Sequence, residues 1–145
     1  MVTRLWTRAR MSVDVIVVSY NTRDLLRACL RSVARAANEV DNLRVFVVDN
    51  ASGDGSTDIA RNEFPSVQLV PLDENIGFGP ANNRGIRVGN GAYLLFLNSD
   101  AEVTPGALKT LVSFLDANPD CVIAGPRLEY PDGRFQLSCR RFPTF

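Results

Sequence analysis

The sequence predicts an α/β fold, with a mostly parallel, Rossmann-like sheet as the middle layer of an α/β/α sandwich. Short runs of β-branched residues alternate with segments of helical periodicity along the chain. Repeated units of this kind give a parallel sheet covered by helices on both faces. Among the 145 residues, 46% are hydrophobic and 22% are charged, which is enough apolar material for the core of one domain.

The first strand and helix are predicted at the start of this pattern. Asp14–Ser19 is a β-branched run, typical of a buried parallel strand. Thr22 is placed to cap a helix over Arg23–Ala37. One face of that helix carries an apolar stripe, which predicts that this face packs on the sheet. The stripe consists of Leu25, Leu26, Cys29, Leu30 and Val33.

The second and third units follow the same order. Leu43–Val48 is a second buried strand that ends at Asp49, and the polar loop Asn50–Ser56 comes next. A short helix is expected to begin at Thr57 and Asp58, and Pro65 ends it. The third and fourth strands are predicted at Val67–Leu72 and Tyr93–Leu97, with a helix between them that opens near Pro80.

The last part of the pattern is shorter. Pro105 is expected to begin a helix that ends at Asn118–Pro119, and Val122–Gly125 is predicted as a fifth strand. The turn residues 131–133 (Pro-Asp-Gly) indicate a hairpin between two further strands.

Charge and cysteine content restrict the functional class. The 16 basic and 16 acidic residues cancel, so no basic field indicates a nucleic-acid partner. No histidine is present, which removes imidazole from catalysis and metal binding. Cys29, Cys121 and Cys139 are odd in number and scattered. We therefore expect a reducing, cytoplasmic location, with Cys29 and Cys121 packed in the core.

Residues 1–11 are expected to be a disordered arm or a start codon assigned too early, and residues 12–145 form the predicted domain. The arm has arginines but no apolar stretch of a secretion signal. Arg4, Arg8 and Arg10 surround Leu5–Trp6, a combination able to make peripheral contact with anionic lipid at the inner face of the cell membrane.

Polar residues follow the strands where the strands end, and ligands of such sheets bind at the carboxyl ends of the strands. Asp49 can accept a hydrogen bond from a base N–H or a ribose hydroxyl, but it is equally suited to an Asx-turn. The polar segments are 20–21, 49–50, 73–75 and 98–100.

Asp100 follows the predicted fourth strand and is the candidate metal ligand. Mg²⁺ or Mn²⁺ takes one or two carboxylates and completes its shell with substrate phosphate oxygens. Asn98, Ser99 and Glu102 could add oxygen ligands directly or through water. The alternative is that Asp100 only caps the following turn.

A cluster of glycine and asparagine residues spans 75–85. Gly77 and Gly79 allow close backbone approach, and the next helix offers free N–H groups to an anion. The segment 77–82 partly mimics the GxGxxG motif of a dinucleotide-dependent oxidoreductase. That motif normally lies in the first βα turn, which contains no glycine here, and Asn82 stands where a small residue should pack.

These segments together resemble the successive motifs of family 2 glycosyltransferases of the GT-A fold. The resemblance covers the sequence from about Val13 to the end, and the motifs occur in the same order as in the family. A later segment, residues 131–143, is similar to one in the rhamnosyltransferase-like branch. The matching motifs are VVSYN (17–21), VVDNASGDGS (47–56), ENIGFGPANNRG (74–85) and FLNSD (96–100).

The resemblance implies a role for each matching residue. Asp100 corresponds to the last position of the family's DxD motif and is the implied metal ligand, although Asn98 replaces the first acid. Tyr20 is placed to stack on the base, and Asp49 to read the base or ribose. The full set of implied donor-binding residues is Ser19, Tyr20, Asn21, Asp49, Asn75, Gly77, Phe78, Asn82, Asn83 and Ser99.

The resemblance also implies an inverting transfer from a nucleotide diphosphate sugar, with dTDP-rhamnose as one donor, to a cell-surface glycan or lipid-linked saccharide. The catalytic base is expected beyond Phe145, so the GT-A domain is expected to be incomplete at its C-terminus. Glu129 and Asp132 are instead expected to serve the turn. The alternative reading is an inactive remnant that binds only a nucleotide or a protein partner.

Overall fold

The computed structural model describes residues 12–138, which divide into two compact units, one ending at Lys109 and the next beginning at Thr110. The predicted alternation of strands and helices is confirmed, with boundaries shifted by a few residues. In chain order the elements are β1 (Ser12–Ser19), α1 (Arg23–Arg35), a 3-10 turn (Ala37–Glu39), β2 (Asn42–Asp49), α2 (Ser56–Glu63), β3 (Gln68–Pro71), α3 (Phe78–Val88), β4 (Tyr93–Asn98), α4 (Ala107–Ala117), β5 (Leu128–Glu129) and β6 (Phe135–Gln136).

The central sheet has four parallel strands in the order β3-β2-β1-β4. Strand β1 lies between β2 and β4, and all its residues from Val13 to Ser19 are buried. A strand with neighbours on both edges and helices on both faces is apolar along most of its length, which explains its β-branched sequence. The predicted parallel sheet is therefore correct.

Alternate side chains of β1 point to opposite faces of the sheet. Ile16 and Val18 form one buried cluster with Val48 of β2 and Ala81 of α3. Val17, also fully buried, points to the other face. Helix α2 contacts β2 and β3 and packs against α1. Right-handed crossovers between parallel strands in the order β3-β2-β1-β4 place α1 and α2 on one face and α3 on the other. The three-layer α/β/α arrangement follows from these two sets of contacts.

Helix α3 approaches the sheet at a glycine. A Cβ atom added to Gly85 would lie 2.5 Å from Cγ2 of Ile16 and 3.3 Å from Cγ2 of Val48. Both side chains are fully buried in the core. Only a residue without a side chain lets the helix lie this close to β1 and β2.

An ion pair lies on the same face of the sheet, near its amino end. Asp14 of β1 is completely buried and accepts two hydrogen bonds from Arg44 of β2, at 2.7 and 2.8 Å. The N–H of Gly91 donates a third, at 2.7 Å. This charged residue in an otherwise apolar strand is fully paired, as a buried carboxylate must be.

Several expectations about the apolar residues are wrong. No strand forms at Val122–Gly125, where Val122 and Ile123 are 88% and 84% exposed. A β-branched run becomes a strand only when a neighbouring strand supplies hydrogen bonds, and none pairs with it within the described chain. Leu25 is also exposed, because it lies outside the buried face of α1. Cys121 is half-exposed instead of buried, whereas Cys29 is buried as expected.

The hairpin in the second unit is confirmed. Strands β5 and β6 pair antiparallel, and the N–H of Gly133, with φ of 82°, donates to the carbonyl of Tyr130. Asp132 binds Arg134, and Glu129 pairs with Arg127. Within residues 12–138, no helix has the length and hydropathy required to cross a membrane. The arginine-rich arm, with Leu5–Trp6, and Cys139 lie outside the described residues.

Candidate functional site

The strand register brings the polar segments to one edge of the sheet. Ser19 is the partner of Asp49 across β1 and β2, and Asn98 of β4 lies beside Val18. Because β1 separates β2 from β4, these two strands are about 10 Å apart, at ~4.8 Å per strand spacing. Asp49 and the Asp100 segment therefore lie at the same end of the sheet, on either side of β1.

Asp49 is 3% exposed, and its two carboxylate oxygens differ. One oxygen, Oδ2, accepts a hydrogen bond from the N–H of Ser52 at 3.0 Å, three residues on in the chain, one residue further than in an Asx-turn. The other oxygen, Oδ1, is buried and has no partner within the described residues. The side chain thus supports the loop and keeps one acceptor available to a ligand.

The loop after β2 is fastened to the loop after β1. The N–H of Asn21 donates to Oγ of Ser52, and Oδ1 of Asn21 accepts from the N–H of Gly53. Asn21 and Ala51 both have positive φ, 53° and 65°. Non-glycine residues rarely adopt this region, and strain of this kind is often found at binding sites. The side chain of Asn21 therefore shapes the site by holding a loop.

Asn75 has a similar role in the next loop. Its Oδ1 accepts hydrogen bonds from Nδ2 of Asn50 at 2.7 Å and from the N–H of Gly77 at 3.0 Å. Asn50 is itself buried, and its Oδ1 accepts from the N–H of Ile76. The two asparagines join the loop after β2 to the start of α3. The acceptor of Asn75 is thus already engaged by the protein.

At the start of α3, Gly77 has φ of 86° and precedes the first helical residue, Phe78. Asn82 is 8% exposed and donates from Nδ2 to the carbonyl of Phe78. Its Oδ1 is buried without a partner in the described part of the chain, like Oδ1 of Asp49. The side chains of Phe78, Asn83 and Tyr20 are exposed.

Three hydroxyl groups connect β1, α1 and β4. Oγ of Ser19 lies 3.0 Å from Oγ1 of Thr22, which in turn lies 2.9 Å from Oγ of Ser99. The expected capping role of Thr22 is wrong, because its side chain makes no cap hydrogen bond to α1. Asp54 takes that role from the loop after β2, accepting from the N–H of Arg23 at 2.8 Å.

The residues around Asp100 provide little metal coordination by themselves. Asp100 is exposed, and Glu102 pairs with Arg35 at 3.4 Å. No group of three Cys, Asp or Glu side chains in residues 12–138 is arranged to hold a metal ion. A single carboxylate fits Mg²⁺ or Mn²⁺ only when phosphate oxygens of a ligand complete the shell.

Cys29 lies beside this negatively charged segment, with Sγ 3.6 Å from the carbonyl of Asn98. Burial, together with the smaller effects of the charges of Glu102 and Asp100, raises the pKa of the Cys29 thiol to about 12. The thiol therefore stays protonated at all ordinary pH values, and a protonated thiol is a poor nucleophile.

We expect iodoacetamide at pH 8 to leave Cys29 of the folded protein unmodified and to alkylate the half-exposed Cys121. Peptide mapping by mass spectrometry measures both sites in one sample. The same treatment in urea is the control and should modify both. Equal alkylation of the two cysteines in the folded protein would contradict the buried position of Cys29.

Asp54 predicts a pH dependence of stability. Burial acts to raise its pKa, but hydrogen bonds from the hydroxyl of Ser56 and from the N–H groups of Arg23 and Ser56 outweigh burial and lower the pKa below 3.8. A lowered pKa in the folded state stabilises the protein above pH 3.8, and this contribution is lost as the pH falls through the folded pKa.

Asp54→Asn is therefore expected to be less stable than the wild type at pH 6, with a difference that shrinks below pH 3.8. Urea unfolding between pH 6 and pH 3 measures this difference. The control is Asp58→Asn, an exposed carboxylate on α2. A difference that stays constant down to pH 3 would show that Asp54 does not act through its charge.

Sequence reasoning missed residues that hold the loops of the site. Thr22, Asn50, Ser52 and Asp54 make contacts that no helical or strand period indicates. The density of Asp, Asn and Ser in residues 49–56 was the available signal, since these side chains bind nearby backbone groups. Their partners lie 25 to 77 residues away in the sequence, about the length of a βα unit or more, and only the sheet register identifies them.

Solved structures similar to this chain include TarS and a mannosyltransferase, each in a complex with a nucleotide sugar. These two structures superpose on 75% and 73% of this chain, respectively. Staphylococcus aureus TarS 1-349, in a complex with UDP-GlcNAc, is 28% identical with a TM-score of 0.65, and 75% of this chain covers 32% of TarS. The mannosyltransferase PcManGT from Pyrobaculum calidifontis, in complex with GDP-Man and Mn²⁺, is 29% identical with a TM-score of 0.65, and 73% of this chain covers 32% of it. The GT-A architecture is thus confirmed.

Among curated relatives, the N-acetylglucosaminyl-diphospho-decaprenol L-rhamnosyltransferase of Mycobacterium tuberculosis is 29% identical over 143 residues. The match includes 91% of this chain but 46% of that protein, so the chain spans less than half the length of this relative. The model of the family described as "Glycosyl transferase family 2" matches residues 14–142. Because that match includes most of the sequence, the chain belongs to glycosyl transferase family 2.

Proposed function

We propose that the carboxyl edge of the sheet binds a nucleotide diphosphate sugar and that the intact enzyme transfers this sugar to an acceptor with inversion. The observation that carries the proposal is Oδ1 of Asp49, a buried acceptor that has no partner among residues 12–138. Leaving such a group unpaired costs about 1–3 kcal/mol. An N–H of a base or an O–H of a ribose would supply the missing donor.

Two further features support a nucleotide at this position. Oδ1 of Asn82 is also buried and unpaired within the described chain, so a second ligand donor is accommodated near the start of α3. Tyr20 and Phe78 are exposed aromatic rings at the carboxyl edge, suited to stacking on a base. The remaining donor-binding residues are proposed to be Ser19, Asn21, Asn75, Gly77, Asn83 and Ser99.

The diphosphate is proposed to lie near the end of β4. There Asp100 would hold Mg²⁺ or Mn²⁺ jointly with the phosphate oxygens, since no other carboxylate completes a site in the described residues. Such a cation, when bound, neutralises charge on the leaving diphosphate. Mn²⁺ accompanies GDP-Man in the PcManGT complex, which supports a metal-dependent donor site here.

We propose dTDP-rhamnose as donor and a lipid-linked saccharide as acceptor, by analogy with the L-rhamnosyltransferase from M. tuberculosis. The transfer also needs a base that takes the proton of the acceptor hydroxyl. Glu129 and Asp132 do not suit that role, because each is paired with an arginine of the hairpin. The free thiols of Cys29 and Cys121 suit a reducing, cytoplasmic setting, with the acceptor at the membrane face.

Calorimetric titration with UDP, dTDP and GDP in the presence of Mn²⁺ tests the proposal. We expect one of the three to bind, and Asp49→Asn to weaken that binding about 10–100-fold. The reason is that hydrogen bonds to a charged group contribute about 1.5–3 kcal/mol. The matched control, Asp58→Asn, removes an exposed carboxylate of α2 and should leave the affinity unchanged.

Thermal unfolding distinguishes a working site from a degenerate remnant. A working site unfolds cooperatively, and its unfolding midpoint rises when nucleotide is added. If a folded sample binds none of the three nucleotides, the chain does not form a donor site. If Asp49→Asn binds as tightly as the wild type, the unpaired oxygen is not the nucleotide contact.

A further inference from the structure

The hydroxyl groups of Ser19, Thr22 and Ser99 form a series of hydrogen bonds in which each donor can be assigned. Each hydroxyl has one proton to donate. Oγ1 of Thr22 donates to Oγ of Ser99 at 2.9 Å, so its proton is used there. The contact between Ser19 and Thr22, at 3.0 Å, must therefore be donated by Ser19. The remaining proton is that of Ser99, which has no acceptor among residues 12–138.

The hydroxyl of Thr22 can take part in this series of hydrogen bonds because another residue caps helix α1. A threonine before a helix usually binds the free N–H groups of the first turn. Here Oδ2 of Asp54 binds the N–H of Arg23, and the Thr22 side chain makes no cap bond. The hydroxyl of Thr22 is thus free to reach Ser99, 77 residues away in the sequence.

Ser99 is 8% exposed and immediately precedes Asp100, in the segment proposed to face the diphosphate. A hydroxyl that accepts one hydrogen bond becomes a better donor through its own proton. We propose that Ser99 donates this proton to a phosphate oxygen of the bound nucleotide and that Thr22 is the positioning residue that fixes Ser99 in this orientation. The inference rests on the proposed function, because the phosphate belongs to the proposed donor.

The competing role for Ser99 is ligation of the cation through its oxygen. The two roles differ in their dependence on metal. A hydrogen bond to phosphate acts on the nucleotide with or without Mn²⁺, whereas a metal ligand acts only when Mn²⁺ is present. The two roles also differ in their ligand, because a nucleoside without phosphates cannot receive the proton of Ser99.

The experiment compares wild type, Thr22→Val and Thr22→Ser in the full chain. Valine has nearly the shape of threonine without the hydroxyl, and serine keeps the hydroxyl. Binding of the tightest nucleotide among UDP, dTDP and GDP is measured by calorimetry in EDTA and in Mn²⁺. Binding of the corresponding nucleoside is measured by NMR titration, and electron paramagnetic resonance gives the affinity for Mn²⁺ in the nucleotide complex.

We expect Thr22→Val to weaken nucleotide binding about 10-fold in EDTA and by the same factor in Mn²⁺. Nucleoside and Mn²⁺ affinities should stay within about 2-fold of the wild type, and Thr22→Ser should restore nucleotide binding. Ser99→Ala should show the same loss, and Thr22→Val should add nothing to it, because both substitutions remove one interaction.

Each contrary result has a separate meaning. If Thr22→Val binds the nucleotide like the wild type, or loses nucleoside affinity equally, the positioning role is overturned while the donor site stands. A loss confined to Mn²⁺, with weakened Mn²⁺ affinity, assigns Ser99 to the cation instead. A folded wild type that binds none of the three nucleotides overturns this inference together with the proposed function.

Discussion

Replacing Asp14 with alanine is expected to lower the free energy of unfolding by about 3 kcal/mol, because removal of one partner from a buried ion pair leaves the other without compensation. Asp14 is fully buried and binds both Arg44 and the N–H of Gly91. The side chain of Arg44 is 28% exposed and regains some hydration, which holds the loss at the lower end of the usual range. Urea unfolding at pH 7 measures the change.

Two variants serve as controls for this prediction. Asp24→Ala removes an exposed carboxylate from its pair with Arg27, and we expect a loss of less than about 0.5 kcal/mol. Asp14→Asn keeps the shape of the side chain and an acceptor for the N–H of Gly91. Its loss of unfolding free energy should therefore lie between the losses of Asp14→Ala and Asp24→Ala. Equal unfolding free energies for Asp14→Ala and Asp24→Ala would show that burial of the pair has no energetic consequence.

Alanine at Gly85 is expected to destabilise the protein by about 2 kcal/mol. The added methyl group would meet Ile16 at 2.5 Å and Val48 at 3.3 Å, and both are fixed in the core. Overpacking typically costs about 1–3 kcal/mol, and the higher helix propensity of alanine offsets up to about 1 kcal/mol. Helix α3 must therefore move away from the sheet or the core must rearrange. Thermal and urea unfolding measure the loss.

The matched control for Gly85 is Gly79, in the same helix. A Cβ atom at Gly79 meets nothing within 4 Å, and its φ is not positive. Gly79→Ala should therefore leave stability unchanged or raise it by up to about 1 kcal/mol. Gly85→Ala should lower the urea midpoint, whereas Gly79→Ala should leave it unchanged or raise it. A stable Gly85→Ala variant would mean that α3 does not contact β1 as closely as the structure indicates.

The sequence predicted the sheet because its signal is local. A β-branched run such as 14–19 is what a strand buried on both faces requires, wherever its neighbours lie. The same reasoning failed for Val122–Gly125, because this run also begins with β-branched residues but no strand within residues 12–138 pairs with it. A strand depends on hydrogen bonds from another part of the chain, so composition predicts only that a segment is able to form one.

For the candidate site, the sequence by itself determined which polar residues follow the strands and that they share one edge of the sheet, since parallel strands end on the same side. Only the tertiary structure decided how those side chains are used. It showed that Asn75 binds Asn50, that Thr22 reaches Ser99 instead of capping α1, and that one oxygen of Asp49 has no partner in the part of the chain that the structure describes. The physical reason is that hydrogen-bond partners are chosen by proximity in space, and the sequence does not contain those distances.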